Sequence, residues 1–158
     1  MDVVALLKSA SLLVPEETAT AAAAEELRLE RSAAWCHWRE GETRNGVIRA
    51  DLTLRAPSDG GRRSPADGAG VLRPMWNIGN STPAGEPEHN IALIWVEDAP
   101  ALEPGGRATV RLAPLTPRSW RHLEPGQVIT MHETRTVAGT AVVLQADFRH
   151  TEMCFGES

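Results

Sequence analysis

The spacing of apolar residues along the chain changes once, near residue 46. Before that point Val3, Leu6, Leu7 and Ala10 recur at three- and four-residue intervals, which predicts a short amphipathic helix. Pro15 ends it, and "PEET" supplies a proline and an acidic first turn to a second helix. That helix runs through "ATAAAAEELRLERSAAWCHW", with Ala23, Leu27, Ala34 and Trp38 on one face and Glu26, Arg28, Glu30 and Arg31 turned to water. Gly41 is its expected C-terminal cap, and Asn45-Gly46 a turn pair. A face with Leu27, Ala34, Trp35 and Trp38 is too apolar for solvent, because one buried Trp removes about 150–250 Å² from water. Two short helices have no core of their own. The face is therefore expected to pack on the rest of the chain or on a second copy, and the short "RNG" at 44–46 favours the former.

Beyond residue 46 no long 3.6-residue pattern returns. "VIRADLTL" (47–54) alternates, with Val47, Arg49, Asp51 and Thr53 on one side and Ile48, Ala50, Leu52 and Leu54 on the other. Further strands are expected at 71–78, 91–96, 108–114, 128–133 and 138–146, with Gly- and Pro-containing turns between them. Six short strands suggest a closed barrel or a sandwich. The stretches 56–70 and 79–90 read as long polar surface loops, and Pro74 marks an edge or bulge position. The chain thus divides into a helical segment 1–45, a β-rich domain 46–146 and a tail 147–158.

Composition narrows the partners. With 158 residues and 42% hydrophobic content the chain can bury a core. A net charge of −5 gives no general attraction to nucleic acid or anionic lipid. Lys8 is the single lysine among sixteen basic residues, and the Arg, Ala, Gly and Pro usage suggests a GC-rich, bacterial genome. Asp2 stands where an export signal carries positive charge, and the apolar patch that follows is too short to span a bilayer. A cytoplasmic protein with reduced thiols is expected. Cys36-His37 and His150 to Cys154 lack the paired spacing of structural zinc, so no metal or other cofactor is expected.

Four segments in order carry a family resemblance. They are "GGRRSP" (60–65), "RPMW" (73–76), "EPGG" (103–106) ahead of "ATVRLAP", and "LEPGQVITMHETRTVAGTAVV" (123–143). The set resembles the C-terminal β-barrel, the third domain, of the elongation factor Tu family. That domain reads Gly-Gly-Arg-His-Thr-Pro, then Gly-Tyr-Arg-Pro-Gln-Phe, then Met-Pro-Gly-Asp, and ends on Arg-Glu-Gly-Gly-Arg-Thr-Val-Gly. The resemblance covers 46–146 and implies a mainly β fold, a six-stranded antiparallel Greek-key barrel, preceded here by a short two-helix segment. There are departures. The sequence holds no Gly-x-x-x-x-Gly-Lys-Ser/Thr to cradle phosphates, so no nucleotide is expected to bind. Met75 replaces the family's Gln, Thr134 replaces its Gly-Gly, and 79–90 is an insertion. In the family the Gln and Gly-Gly positions face the T stem of tRNA, so the resemblance implies that a polar contact and a close backbone approach are lost.

Several residues invite a functional reading. His132, Glu133 and Arg135 cluster like an active site, but no nucleophile accompanies them. By the resemblance Ile129 and Met131 point inward, while His132 and Glu133 end a strand and Arg135 begins the return. An Arg beside a Glu can then hold the turn. Arg62, Arg63 and Arg73 either hold phosphate or an acidic protein surface, or leave Arg62 packed on its own barrel. Trp120, beside Arg121 and His122, is either an interface anchor or a plug at the barrel end. Together these predict a non-enzymatic interaction module that binds a protein partner, for instance a decoy or immunity-like protein against toxins that target the factor, or a partner of the translation machinery. The alternative is an RNA-binding module acting on tRNA or ribosome.

Overall fold

The computed structural model describes residues 15–148, with side chains described at 21–26 and 31–148. The helix expected over Val3–Ala10 lies outside the described residues. One helix, α1 (Pro15–Asn45), precedes the strands. The chain divides into compact units between Cys36 and His37, so the last turns of α1 belong with the barrel. Residues 21–26 are all exposed. The stripe drawn through Ala23 is therefore not buried along its whole length, and among the described residues of α1 the first fully buried is Trp38.

Gly41 does not cap α1. The helix runs through it and stops at Gly46, whose φ of +99° only glycine adopts easily. The Gly46 N–H donates to the Glu42 carbonyl at 2.8 Å and closes the last turn. A Cβ at Gly46 would lie 2.6 Å from the Asp147 carbonyl oxygen.

The strands are β1 (Val47–Leu54), β2 (Ala66–Asp67), β3 (Met75–Ser81), β4 (Pro87–Val96), β5 (Ala101–Leu102), β6 (Arg107–Pro114), β7 (Val128–Glu133) and β8 (Thr136–Asp147). Six of them close a barrel in the order β1-β6-β4-β3-β7-β8, with every described pairing antiparallel. β1 lies beside β6, while β3, β4 and β6 are sequential neighbours, which is a Greek-key arrangement. Closure removes the edges that an open sheet must protect. The core is filled from alternate positions, among them Ile48, Ala50, Leu52 and Leu54 of β1, as the two-residue period requires. Ile129 and Met131 of β7 also point inward.

Two boundaries move. Residues 71–74 stay outside β3, because Pro74 has no N–H to add to the ladder; its carbonyl accepts from Ala92 instead. The stretch 79–90 is a hairpin rather than a long loop. β3 runs to Ser81 and β4 starts at Pro87, and the turn between them is closed by Thr82 N–H on the Glu86 carbonyl at 2.7 Å. The stretch 56–70 also carries structure, a single 3-10 turn at Pro57–Asp59 and then β2, which pairs with β5.

The end of α1 is fixed to the barrel wall. Trp38 packs on Trp95 of β4 with ring centroids 5.8 Å apart. Gly70 leaves the space for it, since a Cβ there would lie 3.1 Å from the Trp38 ring. The Trp38 indole N–H donates to Glu42 at 3.2 Å. Glu42 also accepts from Arg39 and Arg111, each at 2.7 Å. Arg111 and Arg49 both donate to Glu97, at 3.0 and 2.8 Å. A charged chain therefore runs from α1 across β6 and β1 to the end of β4. Of the face expected to dock, Trp38 is seated on the barrel, while the Leu27 side chain lies outside the described residues.

Candidate functional site

The Arg62, Glu133 and His132 region sits where the β7–β8 turn meets the 56–65 loop. Thr134 occupies the tight turn with a φ of +56°, the left-handed region that residues with a Cβ seldom adopt. The arginine that holds this turn is Arg62, from 71 residues away, and not its neighbour Arg135. Arg62 pairs with Glu133 and also donates to the carbonyls of Ser64 and Pro65, at 3.2 and 3.3 Å. Gly61 permits this path, because a Cβ there would collide with the Arg55 carbonyl. Arg62 is thus taken up by its own barrel. Arg63, Arg73 and Arg135 are exposed.

His132 faces the outer wall at the end of β7. Its ring lies against that of His89 from β4, with centroids 4.6 Å apart and planes tilted by 43°. Its Nε2 is 2.8 Å from Thr130 Oγ1, and its buried Nδ1 has no partner among the described residues. Burial holds the imidazole pKa below its usual value, and the charges of His89 and Arg55 lower it further. A hydroxyl beside an imidazole has the makings of a nucleophile–base pair. The third member of such a device, a carboxylate that orients the ring through its second nitrogen, is not at Nδ1 among the described residues.

Trp120 is fully buried and meets Trp76 edge to face, with centroids 6.5 Å apart and planes at 72°. It therefore plugs the barrel end and offers no surface to a partner, which corrects its reading as an interface anchor. The turn that carries it is pinned from below. His122 Nε2 and Gln127 Nε2 reach the Ile78 carbonyl at 2.6 and 3.3 Å, and the Asn80 amide donates to the Ser119 carbonyl at 3.0 Å. Arg121 is exposed beside it. The structure does not gather the candidate residues into one site. Arg62 and His132 meet the β7–β8 end, and Trp120 belongs to the core.

Sequence reasoning missed an apolar surface on β7 and β8. Val128 and Val142 are cross-strand partners on the outer wall, 60% and 38% exposed. Leu144, 46% exposed, sits in the bulge opposite Arg49 and Ala50. Asp51, the β1 partner of Val142, is paired with Arg107 at 2.9 Å and makes a charged rim. The signal was present in "QVITM" and "GTAVVLQ", where apolar residues occupy the outward as well as the inward positions.

Cys36 is exposed on α1, and His150 and Cys154 lie outside the described residues. Among the described residues no three His, Cys, Asp or Glu side chains stand together, and no helix is long and apolar enough to cross a membrane. Neither the models of known protein families nor the curated proteins give a match to this chain.

Proposed function

We propose that the chain is a non-enzymatic interaction module that binds a protein partner through the outer wall of β7 and β8. The observation that carries this reading is the exposed Val128–Val142 pair with Leu144 beside it, rimmed by the Asp51–Arg107 ion pair. An apolar centre with a charged rim is the anatomy of a protein–protein contact. An RNA-binding role is supported less. Trp38, Trp76, Trp95 and Trp120 are all buried, whereas base stacking needs an open aromatic face. The net charge of −5 also opposes phosphate.

The resemblance to the third domain of elongation factor Tu suggests the class of partner. Proteins that dock on that factor would meet a similar barrel here without a GTPase attached, as a decoy or immunity-like protein would present it. A component of the translation machinery fits the same chemistry. The test is capture of the tagged full chain from a lysate of its own cells, with and without ribonuclease. The reading expects a protein that survives ribonuclease and is lost with Val128→Glu/Val142→Glu. Recovery that depends on RNA, or that ignores both substitutions, overturns it.

A further inference from the structure

The proposed partner surface makes no use of His89 and His132. These residues come from β4 and β7, with β3 between them. His132 pairs with Met75, and His89 pairs with Asn77. We propose that His89 and His132 form an open two-imidazole site for a divalent first-row transition metal, with copper(II) bound more tightly than nickel(II) or zinc(II).

Two observations carry this. The first is distance. A metal about 2.0–2.1 Å from one nitrogen of each ring would hold the ring centres about 4.5–5 Å apart, and these centres are 4.6 Å apart. The second is orientation. When Nε2–H donates to Thr130 Oγ1, 2.8 Å away, Nδ1 is left with its lone pair free. A ligating histidine is held in this way, with its other ring nitrogen donating to an oxygen that fixes the tautomer. Nδ1 is buried and has no partner among the described residues. His89 is exposed and so is free to turn towards a bound ion.

The limits of the site set its class. No third His, Cys, Asp or Glu joins the pair among the described residues, so water completes the coordination shell. Arg55 repels a cation, and Glu133 is engaged by Arg62. The ion therefore exchanges readily. Nitrogen ligands in an open shell favour copper by the general affinity order of these metals.

The test uses the full chain titrated with copper(II) and followed by calorimetry and electron paramagnetic resonance. The proposal expects one equivalent whose spectrum shows two imidazole nitrogens. His89→Ala, at an exposed position, should remove that equivalent while the fold melts unchanged. Thr130→Val should weaken it by about 10–100-fold, the usual effect of losing an outer-shell partner. Cys36→Ser, His37→Ala and His122→Ala should leave it intact. The proposal is overturned if no such equivalent binds, if binding survives His89→Ala, or if Thr130→Val leaves it unchanged.

Discussion

The Arg111 guanidinium lies 2.7 Å from the Glu42 carboxylate, and this contact fastens the last turns of α1 to the barrel wall. The Glu42 side chain is only 3% exposed, whereas Arg39, its other basic partner, is 50% exposed. The two partners should therefore behave differently on substitution. Removing one member of a buried pair strands the other charge, at about 3–5 kcal/mol, while an exposed pair contributes about 0–1 kcal/mol. Glu42→Ala should lower the unfolding free energy by about 3 kcal/mol and Arg39→Ala by under about 1 kcal/mol. Urea titration reads both, and equal effects would count against the network.

The end of α1 gives a pair of predictions of opposite sign. Gly41 lies inside the helix, and a Cβ there meets nothing within 4 Å. Gly41→Ala should stabilise the protein by about 0.5–1 kcal/mol. Gly46→Ala should destabilise it, because the backbone is left-handed there and the methyl group meets the Asp147 carbonyl. Thermal melts of the two variants shifting in the same direction would misplace the helix end.

Trp38 is the apolar half of the same attachment. Trp38→Ala should cost about 3–5 kcal/mol, the range for large-to-small core changes. It removes the packing on Trp95 and the indole bond to Glu42. Trp38→Phe keeps one aromatic ring against Trp95 and loses the pyrrole half of the indole with its N–H, so it should cost less than Trp38→Ala. Chemical denaturation of both variants checks the order.

Glu97 makes stability depend on acid. The bonds from Arg49, and after them from Arg111, hold its carboxyl below the usual carboxylate range despite partial burial. The folded chain therefore binds this proton less readily than the unfolded chain. The stabilisation is complete above the ordinary unfolded Glu pKa of about 4.3 and fades as pH falls through the lower folded value. Melting temperatures between pH 7 and about 3 should show a flatter acid limb in Glu97→Gln than in wild type. Identical acid limbs would mean the Glu97 pairs contribute nothing there.

Much of the barrel could be read from the sequence. β1 could be read because one side of it is wholly buried, so Ile48, Ala50, Leu52 and Leu54 keep a strict period of two. Residues 79–90 were opaque because the hairpin tip projects into water, so its strands carry Pro87, Glu88 and His89 with no apolar face to announce them. Gly41 looked like a stop because local propensity favours one there. The anchors on either side, Trp38 and Glu42, carry the helix past it. For Arg62 the sequence left open a bound phosphate or acidic surface and packing on its own barrel, and its partner Glu133 needed the turn geometry. Arg49, Glu97 and Arg111 occupy outward positions that read as solvated charges until the strand register brings them together.

The central claim, a protein partner on the β7–β8 wall, is tested most directly by photo-crosslinking. A photoreactive side chain would replace Val142, on the exposed pair, or Glu88, exposed at the β3–β4 hairpin, in the full chain within its own cells. The account predicts a discrete protein adduct from position 142 that is resistant to ribonuclease, with none from position 88. An RNA adduct, equal adducts from both positions, or no adduct from position 142 would contradict it.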